Sequence, residues 1–172
     1  LFSTPVAVYD LSYVLTEEIQ NALQKIGYTQ NDLVDGIRGD KDPSQMPELK
    51  HLYDEFQKYV DGYSDEIGIA HSRIYESWMN ILTMNGSVGV HRHYDSVVSA
   101  AFYPYVDSDS APITFVNPNE GLRMLDVQHT SKDASGEYTS NVQHIEAKTG
   151  QLVLFPSWVQ HYVKPNKTNM RI

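Results

Sequence analysis

From Ser72 onward the chain is cut into short runs rich in β-branched and aromatic residues, and this punctuation narrows the possible folds more than any other feature. The runs fall at 72–84, 97–106, 112–116, 122–130, 138–146, 151–156, 159–164 and from 169 to the end, separated by Gly, Pro, Asn, Asp and Ser. β-Branched and aromatic side chains suit a pleated surface, and the separating residues supply the backbone angles of turns. About eight short strands of this kind predict a sandwich or jelly roll.

The amino-terminal third reads differently. Thr16 stands as an N-cap before Glu17 and Glu18, and Ile19, Ala22, Leu23 and Ile26 recur at helical spacing until Gly27 ends the run. Gly36 to Met46 reads as an exposed loop. Pro47 then opens a second helix, on which Leu49, Leu52, Tyr53, Phe56, Tyr59, Val60 and Tyr63 form a packing face for a sheet. The expected organisation is one domain over 1–172. Residues 1–70 form a helical support region with two α-helices, and 71–172 form the β core. The polar stretch Ser131 to Ser140 is expected to form a mobile hairpin or lid.

Charge and composition exclude several classes of function. With 22 acidic and 13 basic residues the formal charge is −9, a sign that repels phosphate backbones, so a nucleic-acid partner is not expected. No run approaches the roughly 18 apolar residues of a membrane span, and Leu1 to Asp10 lack the pattern of a signal peptide. A cytoplasmic protein with no membrane partner is expected, and the missing initiator Met points to a trimmed chain. The absence of cysteine rules out disulfides and thiolate ligands, leaving His, Asp and Glu to bind iron, manganese or zinc.

One triplet stands out in the β portion: His93-Tyr94-Asp95, with His161 far downstream and Arg171 ten residues after that. Residues two apart on a strand project from the same face, so His93 and Asp95 can hold one ion together. His161 would complete two imidazoles and a carboxylate, the arrangement of non-heme Fe(II) oxygenases, which leaves positions open for a co-substrate and O₂. Arg171 offers a planar fork suited to a carboxylate facing the same cavity.

The wider pattern resembles a known family. Trp78-Met79-Asn80, Gly86, His91 to Asp95, Ser99 to Tyr103, Gly150 to Trp158 and His161 to Arg171 are together similar to the Fe(II)/2-oxoglutarate-dependent oxygenases related to prolyl 4-hydroxylases, over about residues 74 to 172. The resemblance implies a double-stranded β-helix, a distorted jelly roll like that of the cupins, with iron in its mouth. It implies metal positions at His93, Asp95 and His161, and a cofactor site in which Arg171 and Tyr103 hold the distal carboxylate of 2-oxoglutarate, with Asn80 as a further candidate. The implied activity is a dioxygenase that converts 2-oxoglutarate and O₂ to succinate and CO₂ while hydroxylating an unactivated C–H bond. Kinship with prolyl hydroxylases makes a protein or peptide side chain the first substrate class to consider, with a small molecule as the other. Trp158 either walls the substrate entrance or packs. The given chain stops at Ile172, where relatives of this kind continue, so the last strand is expected to be cut short.

Two other readings stay open. His91, two residues before His93, allows a set of His91, His93 and His161, which resembles the cupins in that Gly86 precedes an H-x-H pair. That reading implies a metal enzyme working without 2-oxoglutarate. It leaves Arg171 without a task, and Val97 and Val98 stand where a cupin would carry its Glu. The other reading is a non-catalytic jelly-roll binding module.

Overall fold

A computed structural model of the chain describes residues 3–26, 28–31, 34–39, 41–119 and 140–172. The strand expected at 122–130, Gly27 and all of Ser131 to Ser140 except its last residue lie outside these. Among the described residues, two antiparallel sheets face each other. The smaller has the order β1 (Ala7–Asp10), β9 (Gln151–Pro156), β6 (Val98–Phe102). The larger runs β2 (Tyr28–Asn31), β3 (Val34–Gly39), β5 (Ser87–His91), β10 (His161–Val163), β7 (Ile113–Val116), β8 (Val142–Ile145), with β4 (Asn80–Ile81) also on β3.

The run Leu152-Val153-Leu154-Phe155 lies in the central strand of the smaller sheet, which explains why it is continuously apolar: both of its faces are buried. Leu152 and Leu154 point into a core shared with Leu52, Phe56 and Val60. Val153 and Phe155 point the other way, into a core with Tyr103, Ile113, Phe115 and Val159. Each such side chain contributes roughly 1.5–3 kcal/mol on burial.

Both predicted helices form and cover the outer face of the smaller sheet. α1 (Glu17–Gln24) starts as expected, with the Ile19 N–H donating to Thr16 Oγ1 at 3.3 Å. α2 (Lys50–Ile67) begins one short 3₁₀ turn after Pro47, and its Phe56 ring packs 4.8 Å from that of Phe102 on β6. Gly68 ends it at φ 74, where the Ile69 N–H reaches back to the Ser64 carbonyl at 3.0 Å. No helix among the described residues is long and apolar enough to cross a membrane.

Several strands differ from expectation, each for a reason of pairing. Residues 72–79 are not a strand; they form an extended strap fixed by side chains. Ser77 donates to Asp42 Oδ1 from both N–H and hydroxyl, at 3.1 and 2.6 Å, and Gln57 Nε2 donates to the Ser72 carbonyl at 2.8 Å. Toward the chain end, Arg171 makes isolated antiparallel bridges to Leu82 and Val106 in place of a full strand. The expected loop 36–46 begins as the end of β3, which gains its ladder from β2, β4 and β5. β1 alternates part-buried Ala7 and Tyr9 with exposed Val8 and Asp10, a period too short to stand out before its partner β9 is known.

Candidate metal centre and co-substrate pocket

The register of the larger sheet builds the site. β10 pairs with β5 so that His161 lies opposite His91, and their rings come to 4.3 Å between centroids. His93 lies two residues beyond the end of β5, its ring 5.2 Å from that of His91 and 5.3 Å from that of His161. One ligand atom from each of the three falls within 4.8 Å of the others.

Hydrogen bonds orient two of the rings. His91 Nδ1 lies 2.8 Å from the Gly89 carbonyl, and His161 Nδ1 lies 3.0 Å from the Val159 carbonyl. A carbonyl can only accept, so each Nδ1 carries a proton, and Nε2 is the ring nitrogen left to bind metal. Burial holds the His161 pKa down to about 4, with His91 and His93 adding to the effect and the Val159 bond opposing it. His93 is also lowered, by burial first and then by His91. Imidazoles kept neutral in this way are in the form that binds metal.

Of the expected ligands, His93 and His161 meet, and the third member of the cluster is His91. Asp95 is exposed, in a bend after β5, and lines the same cavity outside the cluster. His91 and His93 share the two-residue spacing that the sequence reading applied to His93 and Asp95, and because β5 ends at His91, strand alternation does not carry Asp95 onto the face of His93. The H-x-H pair was the available signal for His91. Trp78 packs on His93 with 5.5 Å between ring centroids, whereas Trp158 is exposed and outside the cavity lining.

A cavity of about 730 Å³ connects the three imidazoles with Arg171, Tyr103 and Asn80. Arg171 is only 6% exposed. Its Nη2 donates to the Tyr103 hydroxyl at 3.3 Å, and its guanidinium carbon lies 4.9 Å from the Tyr103 ring centre. Burial raises the Tyr103 pKa, which the Arg171 charge partly offsets, so the phenol keeps its proton. Arg171 Nε and Asn80 Oδ1 are buried without partners, and among the described residues Arg171 has no carboxylate within ion-pair distance. An unpaired buried cation is costly, so this pocket fits an anionic group. The donor chemistry likewise fits a divalent metal of the iron or zinc kind, since three imidazoles each bring a ring nitrogen toward one point.

Comparison with known proteins agrees with this geometry. Among solved structures, a Pseudomonas putida prolyl-4-hydroxylase matches with TM-score 0.65 and 12% identity, covering 98% of this chain and 89% of that one. HygX from Streptomyces hygroscopicus, with nickel and 2-oxoglutarate bound, matches with TM-score 0.62 and 13% identity, covering 98% and 80%. A Trichoplax adhaerens prolyl hydroxylase in complex with a hypoxia inducible factor oxygen degradation domain peptide fragment matches with TM-score 0.57 and 14% identity, again covering 98% and 80%. At these identities the likeness establishes the fold, a double-stranded β-helix. No curated protein sequence matches the chain. The model of the family described as "Putative 2OG-Fe(II) oxygenase" matches residues 76–172, which includes every residue of the site, and the chain belongs to that family of Fe(II)- and 2-oxoglutarate-dependent dioxygenases.

Proposed function

We propose that the chain holds Fe(II) through His91, His93 and His161, holds 2-oxoglutarate through Arg171, Tyr103 and Asn80, and hydroxylates a C–H bond in a protein or peptide side chain. The observation that carries this reading is Arg171, a buried guanidinium with an unpartnered Nε, facing the same cavity as three converging imidazoles. Bound iron supplies the oxidation, in which 2-oxoglutarate, O₂ and the substrate C–H give succinate, CO₂ and the alcohol. The chain's own groups orient the reactants. Arg171 and the protonated Tyr103 hydroxyl donate to the distal carboxylate, and the Asn80 amide, turned end for end, adds a further N–H.

Support for a peptide substrate comes from the cavity mouth, where Tyr75, Trp78 and Tyr94 are exposed along the lining, and from the peptide fragment held by the Trichoplax structure. Exposed aromatics provide contact area at low entropic cost. The cupin-like reading shares the three histidines but leaves Arg171 without a ligand. Anaerobic addition of Fe(II) and 2-oxoglutarate separates the readings: the expected result is a weak visible metal-to-ligand charge-transfer band. Its absence, with iron bound, would reject 2-oxoglutarate as co-substrate. His91→Ala is expected to abolish iron binding while Asp95→Ala retains it; the opposite pattern would replace His91 by Asp95 in the ligand set.

A further inference from the structure

We infer that Ser157 is a positioning residue for His93, tying the connection that carries this ligand to the end of β9. The inference rests on the three-histidine reading of the metal site. His91 and His161 are held by facing positions in one ladder, but His93 has left its strand and needs another anchor. Its N–H donates to the Ser157 carbonyl at 3.0 Å, and the Ser157 N–H donates to the Val97 carbonyl at 3.0 Å. Ser96 Oγ donates to Ser157 Oγ at 2.8 Å, and the Ser157 hydroxyl meets Ser99 Oγ, also at 2.8 Å.

These bonds clamp residues 93–99 onto one fully buried serine, which is 0% exposed. Ser99 belongs to β6 and pairs with Phe155 on β9, so the clamp joins the smaller sheet to a loop whose other end belongs to the larger one. Two ligands therefore belong to the larger sheet, while the third, His93, is tied through Ser157 to the end of β9 in the smaller one. It also lies two residues before Val159, whose carbonyl orients His161. Alanine at 157 would keep the backbone bonds but leave the Ser96 and Ser99 hydroxyls without this partner. The 93–97 connection could then shift, and metal ligands tolerate displacements of only a few tenths of an ångström.

The test is titration of the protein with cobalt(II) alone, read by its visible d–d bands and by competition with a chelator. Ser157→Ala should weaken cobalt binding about tenfold, the lower end of what partners orienting a ligand contribute, and should shift the bands. The melting temperature of the metal-free protein should change by only a few degrees. In a His93→Ala background, Ser157→Ala should produce no further loss, because the residue acts through His93. Unchanged affinity, or an equal loss with His93 absent, overturns the inference. Should Ser157→Ala fail to fold, Ser99→Ala breaks the same clamp from the β6 side and is judged by the same comparison. A wild-type chain that takes up no cobalt would instead overturn the metal reading itself, and this inference with it.

Discussion

Replacing Arg171 by Met removes the guanidinium while keeping a long side chain in the buried position, and the structure sets the size of the effect. A bond from a charged donor contributes about 1.5–3 kcal/mol, so a two-pronged grip on a carboxylate amounts to about 3 kcal/mol after partial compensation by water. At 1.4 kcal/mol per factor of ten, the 2-oxoglutarate requirement should rise about a hundredfold. Stability of the free protein should respond far less. Losing the Nη2 bond and the ring contact with Tyr103 costs about 1–3 kcal/mol, while removing an unpaired buried charge returns a similar amount. Iron affinity should be unchanged, since the guanidinium contributes no ligand atom to the cluster. The assay measures KM for 2-oxoglutarate by succinate release, iron binding by chelator competition, and unfolding of the metal-free protein by denaturant. Equal losses of iron and 2-oxoglutarate, or a stability loss near 3 kcal/mol, would show that Arg171 is structural and refute the pocket assignment.

Lowering pH should destabilise the metal-free protein between about pH 6.5 and pH 4. There the unfolded chain protonates His161 while the fold holds that ring neutral, and the effect reaches about 3 kcal/mol; in denaturant melts the stability difference between wild type and His161→Gln should change over this window and stay constant above it. Gly150→Ala should cost more than about 2 kcal/mol, because φ is 83 and an added Cβ would lie 2.5 Å from Ser12 Cα; an unchanged denaturation midpoint would contradict this close approach. Leu154→Ala, at a fully buried position on β9, should cost about 2–5 kcal/mol by the same measurement, with iron affinity retained.

How far the chain could be read without coordinates depended on whether a signal was local. The Thr16 cap, the apolar face of α2 and the strand at 151–156 each follow from neighbouring residues, and each appears in the structure as read. The strands β1, β2 and β3 were not legible, because a short strand depends on the backbone of its partner strands. The strap at 72–79 carries strand-like residues yet bonds to the side chains of Asp42 and Gln57, a competition that composition does not reveal.

The same division runs through the site. Residue types alone excluded thiolate ligands, singled out His93, His161 and an arginine ten residues on as candidates for one site, and pointed to a β core. Which side chains converge was decided by pairing: His161 stands opposite His91 in the ladder, and the Ser157 carbonyl captures the N–H of His93 just past the strand end. Side-chain direction alternates only while a ladder persists. The point where β5 gives way to its connection, set by a partner strand far along the chain, is therefore what brings His91 into the cluster and leaves Asp95 at its rim.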